Sequence, residues 1–217
     1  MGKKIVIGIT GTHGSGKDTA AEKICRRYKT KDYSTSTEIG YELTERGMDH
    51  SRPNKVVVAN ELREKFGAGE LARRSLSRAT EEIIVISAIR NVGEIEYLRE
   101  HSNFFLISVD APIELRYERV SKRERFGDGK TFEEFKAGED RERDAGPTSQ
   151  QLFPCMALAD FSIVNDSDLE NLNRQIEKAV DIVTAKNIQL FIENWACDHF
   201  WAIFFTLIVL ALAVLGA

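Results

Sequence analysis

Short apolar runs alternate along this chain with stretches whose apolar residues recur every three or four positions. Runs at Lys4–Ile9, Ile83–Ser87, Phe104–Asp110 and Phe161–Asn165, with a shorter one near Asp32–Ser34, predict five strands. Helical patterns between them are the signature of a parallel sheet covered by helices, an α/β fold of three layers. Thr19–Tyr28 reads as the first helix, and Ser36–Arg78 inserts several more between the second and third strands. Leu169, Leu172, Ile176, Val180 and Val183 follow a 3,4,4,3 spacing that predicts a helix closing the domain. Glu114–Arg143 carries nine acidic and nine basic residues, too many for a buried crossover. Such a stretch is either a solvated surface or a lid, here bounded at about 114–144.

The far end of the chain breaks the pattern. Phe200–Ala217 is 18 residues without a charge and with one hydroxyl. As a helix it would reach ~27 Å, just short of a ~30 Å hydrocarbon core. Ile188, Phe191, Ile192 and Trp195 form an apolar stripe leading in, and Trp195 and Trp201 fall near the expected interface. The expectation is a domain over 1–186, an amphipathic connector over 187–199 and a transmembrane tail over 200–217. A buried helix or an oligomer contact is the alternative. Lys186 is the nearest base, so the charge signal for orientation is weak.

Composition narrows the partners. With 217 residues, 30 basic and 34 acidic, the formal charge is −4, so a general nucleic-acid binder is not expected and any basic site must be local. Cys25, Cys155 and Cys197 give an odd count without zinc spacing, as reduced thiols in the cytosol would. The start, Met-Gly-Lys-Lys leading straight into a strand, does not resemble a signal peptide. The expected setting is a cytoplasmic domain held at a membrane by its tail.

The sharpest chemical signal is Gly11-Thr12-His13-Gly14-Ser15-Gly16-Lys17-Asp18-Thr19, directly after a strand and before a helix. Glycines there let successive N–H groups converge on phosphate oxygens, the following helix turns its positive end to the same place, and Lys17 brings a mobile ammonium. All of Gly11 to Thr19 are therefore candidate ATP-binding residues. Asp18 occupies the position where a hydroxyl is common in such loops, and Thr19 follows one residue later. Thr19 is the candidate phosphate or magnesium ligand, with Asp18 acting through a metal-bound water or simply favouring the helix dipole. His13 is a spacer whose backbone N–H is in use.

Candidate acceptor residues lie past the strand ends. Arg90 stands three residues beyond the third strand, where a guanidinium can fork onto an acceptor phosphate; pairing with Glu94 is the bland reading. Ser34 and Glu38 follow the short second strand and either cap a helix or line an acceptor pocket. Arg63 is placed to reach an acceptor or to sit on a helix surface. Arg116, Arg119 and Arg123 share one helix face after Asp110, and again a solvated face competes with a catalytic one.

The motifs at Ile7–Thr19, Ile86–Arg99, Val109–Arg123 and Ala157–Asp166 resemble P-loop nucleotide kinases of the adenylate and cytidylate kinase type, closest to proteins called dephospho-coenzyme A kinase-like. The resemblance covers about residues 3 to 184. It implies a P-loop NTPase fold with a five-stranded parallel sheet, a helical acceptor insert and a lid, and an ATP- and Mg²⁺-dependent transfer to a nucleoside monophosphate or related small phosphorylated metabolite. By the same resemblance Lys17, Arg90, Arg119 and Arg123 are catalytic, and Asn165 with Asp166 borders adenine. Ser87 departs from the family, which commonly carries Asp or Glu there to hold hydrated magnesium. That departure supports a competing expectation, a membrane-tethered ATP-binding module without efficient turnover. An AAA-type motor fits less well, the chain being short and without a second domain for coupling.

Overall fold

The computed structural model describes residues 3–122, 131–143 and 149–198. In chain order its elements are β1 Ile5–Gly11, α1 Lys17–Tyr28, α2 Thr35–Glu45, α3 Arg52–Phe66, α4 Glu70–Arg78, β2 Ile83–Ile86, α5 Val92–His101, β3 Asn103–Asp110, α6 Ile113–Ser121, α7 Phe132–Arg143, α8 Leu152–Ala157, β4 Phe161–Val164 and α9 Leu169–Asp198. The chain divides into two compact units at Val180–Asp181.

In the first unit four parallel strands lie in the order β2-β1-β3-β4. Register pairs Val6 with Ile84 and with Phe104, and Gly8 with Ile86 and with Leu106. Alternation of side chains therefore puts Val6, Ile84, Ile86 and Leu106 on one face, where they form a core with Ala72 of α4, Ile95 and Leu98 of α5 and Cys155 of α8. Ile7, Ile9, Val85 and Ile107 point to the other face and are equally buried, and α1 crosses the sheet with Ala20, Ala21 and Ile24 inward. Burial on both faces is why these strands read as continuous apolar runs.

The expected fifth strand is reduced to a single bridge. Asp32 pairs with Val85 on the free edge of β2, through Tyr33 N–H to Val85 O at 2.9 Å and Val85 N–H to Lys31 O at 3.3 Å. The chain has no length for more, because α2 begins at Thr35. Helices α2, α3 and α4 form the insert, and Ile39, Leu43, Val58, Ala59, Leu62 and Leu71 give it a core of its own.

The closing helix α9 runs from Leu169 to Asp198, so the stretch expected as an amphipathic connector is helical through Asp198. Among the described residues no helix is long and apolar enough to cross a membrane. The apolar run Phe200–Ala217 lies outside them, as do Arg123 and most of the stretch between α6 and α7.

Candidate active site

The phosphate loop is held by close approaches that only glycine permits. Gly14 and Gly16 have φ of 78° and 95°, in the left-handed region. A Cβ on Gly14 would stand 2.8 Å from Arg116 O, and one on Gly16 2.6 Å from Asn165 Nδ2; at Gly11 it would collide with the Val109 carbonyl. Gly16 also supplies the N-cap of α1 without a side-chain hydrogen bond, so the helix presents its first N–H groups uncapped. The buried Ser15 hydroxyl has no hydrogen-bond partner among the described residues. A cradle of uncapped donors with an orphaned hydroxyl fits a phosphate group.

Neighbouring segments lock that loop in place. Thr12 donates its hydroxyl to Asp110 Oδ1 at 2.6 Å, and Asn165 donates to Ser15 O at 2.8 Å. The Thr12 side chain is thus occupied by the scaffold. Arg116 is buried, donates to Ala111 O at 2.7 Å and to His13 O at 3.4 Å, and forms a two-pronged ion pair with Glu139 of α7. It clasps the charged segment to the loop, with Phe135 beside both its guanidinium and the His13 ring. Of the arginines expected on that face, Arg116 is a structural clamp. Arg119 donates to Asn165 O at 3.1 Å, and its buried Nη1 has no hydrogen-bond partner among the described residues.

Beside the loop opens a cleft of about 1030 Å³. Lys17, Asp18 and His13 line it from the loop, Ser34 from the start of α2, Arg63 from α3 and Arg90 from the end of β2. Residues as far as 77 positions apart in sequence thus meet in one cavity. Lys17 is buried, with Nζ 3.5 Å from the exposed Asp18 carboxylate. Thr19 is half-buried in the first turn of α1 and, like Asn165, does not line this cleft. Glu38 is absent from it as well. It lies on the side of α2 that meets α4, where its carboxylate holds Arg78 at 2.8 Å.

Asp32, Glu94 and Gln150 organise the cleft, and of these only Glu94 was given a role from the sequence, as a partner for Arg90. Asp32 accepts from the Ser87 backbone N–H at 3.0 Å and from its hydroxyl at 2.6 Å. The carboxylate missing at position 87 is therefore supplied from the neighbouring edge segment. Loss of hydration raises the Asp32 pKa, Ser87's two hydrogen bonds pull it down, and the nearby Asp18 charge adds to the rise. Glu94 is the second. Its Oε1 accepts from Arg63 Nη2 at 2.9 Å and its Oε2 from the Arg90 N–H at 2.9 Å, while the Asn91 side chain accepts from Gly93 N–H in a reciprocal capping box. Glu94 thus pairs with Arg63 and accepts from the backbone N–H of Arg90. The third, Gln150, accepts from Arg90 Nη1 at 2.7 Å.

The signal for Glu94 was present in sequence as Asn91 followed three residues later by an acid. Nothing local marked Asp32 or Gln150. Ala88, with φ of 59°, bends the chain between Ser87 and Arg90, and Thr35 secures the bend by donating to Ala88 O at 2.7 Å. Burial pushes the Cys25 thiol up to about 11 and Cys155 to about 12, so neither is a thiolate near neutral pH.

The family described as AAA domain matches residues 7–143. A UPF0200 protein of Methanocaldococcus jannaschii is 33% identical over 178 residues, covering 80% of this chain and 87% of that protein. This chain belongs to the AAA domain family and to the UPF0200 proteins. The AAA label, disfavoured on chain length, thus returns at the level of the domain. Among solved structures, a shikimate kinase from Acinetobacter baumannii superposes with a TM-score of 0.53 at 14% identity, covering 83% of this chain and 93% of that one. A gluconokinase from Sinorhizobium meliloti gives 0.51 at 14% identity, covering 89% and 99%. The fold is that of a P-loop kinase.

Proposed function

We propose that this protein is an ATP- and Mg²⁺-dependent phosphotransferase whose acceptor is a nucleoside monophosphate or a related small phosphorylated metabolite, in the manner of the nucleoside monophosphate and dephospho-coenzyme A kinases. The observation that carries the reading is one cleft lined by the loop lysine Lys17, the carboxylate Asp32 and the acceptor-side cation Arg90. Phosphoryl transfer depends mainly on positioning and on neutralising charge, and these three groups are of the types it needs.

In this reading the loop N–H groups from Gly11 to Gly16, with the Ser15 hydroxyl, hold the nucleotide phosphates. Lys17 neutralises charge on the transferred group. Arg119, whose Nη1 has no hydrogen-bond partner among the described residues, adds a second cation, as Arg123 would. Arg90, steadied by Gln150, orients the acceptor. Thr19, Asp18 and Asp32 are the oxygen donors that suit Mg²⁺ directly or through water. Bound near these donors, Mg²⁺ would supply positive charge that offsets the phosphates' negative charge. Ser87 no longer favours an ATP-binding module without turnover, because Asp32 brings a negative charge to the same spot. The uncharged run Phe200–Ala217 supports attachment of this enzyme to a membrane, which carbonate-resistant sedimentation of the full chain would test.

The decisive experiment incubates the full chain with ATP, Mg²⁺ and a panel of acceptors and follows ADP. The panel holds nucleoside monophosphates and dephospho-coenzyme A, with shikimate and gluconate as unphosphorylated comparisons. ADP formation that depends on a phosphorylated acceptor is expected. Nucleotide binding without acceptor-dependent turnover would overturn the kinase reading in favour of the binding module.

A further inference from the structure

One face of α3 lines the cleft along most of its length. Arg52, Lys55, Val56, Ala59 and Arg63 all border it, at spacings of 3, 4, 7 and 11 residues from the first, the repeat of a single helical face. At ~1.5 Å per residue, Lys55 lies ~12 Å along the axis from Arg63, and Arg52 ~16 Å. The two ends of this wall are electrically different. At the Arg63 end the guanidinium is taken by Glu94, and Arg90 serves the reacting side. At the other end Lys55 is half-buried on the cleft and, among the described residues, pairs with no carboxylate. Arg52 and His50 border the cleft beside it. Between the ends the wall is apolar: Val56 and Ala59 on α3 face a cleft that Ile39 also lines.

A cavity of about 1030 Å³ is larger than a small monophosphorylated metabolite needs, and a cation at its remote end has no part in transfer at Lys17. We infer that the acceptor is an elongated molecule with two anionic groups: a phosphate at Arg90, whose backbone shares Glu94 with Arg63, and a second anion at Lys55, ~12 Å along α3 from Arg63, joined by a body of low polarity that lies along Val56 and Ala59. Lys55 is a specificity residue in this arrangement, with Arg52 beside it. This inference rests on the acceptor side of the proposed phosphotransferase and names its substrate class.

A chemical ruler tests it without relying on turnover. Straight-chain alkane-1,ω-diyl bisphosphates, from ethane to dodecane, and the matching alkyl monophosphates are titrated calorimetrically into the full-length protein. Bisphosphate affinity is expected to peak near octane and to exceed octyl monophosphate by roughly tenfold, one charge-assisted contact's worth. Lys55→Ala should abolish that advantage while leaving monophosphate affinity, ATP affinity and melting temperature unchanged, and Lys55→Glu should turn it into a disadvantage. A flat dependence on length, or equal losses for both ligand classes in Lys55→Ala, overturns the two-anion site. A length optimum in a protein that makes no ADP with any acceptor would remove the kinase reading and leave the site standing. Turnover without the optimum would do the reverse.

Discussion

The phosphate loop and the cleft beside it are built in opposite ways. The loop is one continuous segment, Gly11 to Lys17, shaped by positive φ angles at Gly14 and Gly16 and by backbone donors of the segment itself. The cleft is a composite: Asp32 from an edge bridge, Arg63 from the insert, Arg90 from a bend after β2, and Gln150 from the segment beyond α7. A local device tolerates change in distant parts of the chain, whereas a composite one depends on every element that carries a piece of it. Damage to the loop should therefore be chemical and confined, and damage to the cleft should mix stability with binding.

The largest effect is expected at the loop. Lys17→Ala should lower ATP turnover by at least a hundredfold, since the removed charge is needed most in the transition state. Melting temperature should hardly move. Turnover and melting measured on the same preparation check both halves, and a large loss of stability would remove the contrast drawn above.

Glu94→Ala should show the opposite profile. It strands Arg63 in a site where both side chains are almost wholly buried, 2% and 0% exposed, and deletes one half of the α5 capping box. Breaking a buried pair costs ~3–5 kcal/mol and losing a cap ~1 kcal/mol. Denaturant unfolding should record the loss. Nucleotide affinity should survive under conditions where the variant stays folded, because Glu94 touches no part of the loop.

Arg90→Ala tests the cleft without dismantling it, since the backbone bonds of Arg90 to Glu94 and Gln151 remain. Acceptor-dependent turnover should fall by ~2–4 kcal/mol in transition-state terms, with little change in ATP affinity. Equal losses with and without acceptor would place Arg90 on the nucleotide side instead.

The smallest effect, and the most specific, concerns Asp32. Its raised pKa means the folded state holds its proton more tightly than the unfolded chain does. Stability should therefore fall as pH rises from the ordinary carboxylate value through the raised one, and the cost persists at neutral pH. Asp32→Asn removes that cost: relative to the parent, its stability should improve on going from acid to neutral pH. Mg²⁺ should stabilise the parent more than the variant. Titrated thermal melts with and without Mg²⁺ read both effects, and an equal Mg²⁺ response would take Asp32 out of the metal site. Ser87→Asp would set a second carboxylate against the first, where Ser87 now donates at 2.6 Å, so it should be less stable without Mg²⁺.

What could be read from residues alone is what nearest neighbours decide. Four of five strands were legible because burial on both faces forces continuous apolar runs. The loop was legible because its glycines and lysine act within one turn of chain. Arg90 was placed correctly past a strand end, since parallel strands deliver their following residues to one edge. The roles of Asp32 and Gln150 were not legible, Glu94 was read as a partner of Arg90 and not of Arg63, and Glu38 was assigned to a pocket it does not line. A carboxylate's partner depends on which distant element packs opposite, and helical periodicity leaves α2 free to turn Glu38 toward α4 or toward the cleft. Only packing of the insert against the sheet made that choice, exchanging Glu38 for Asp32 and binding Glu94 to Arg63. The composition of the loop is a property of sequence, while the charge balance of the cleft is a property of the folded arrangement, because electrostatic partners are set by distance in space.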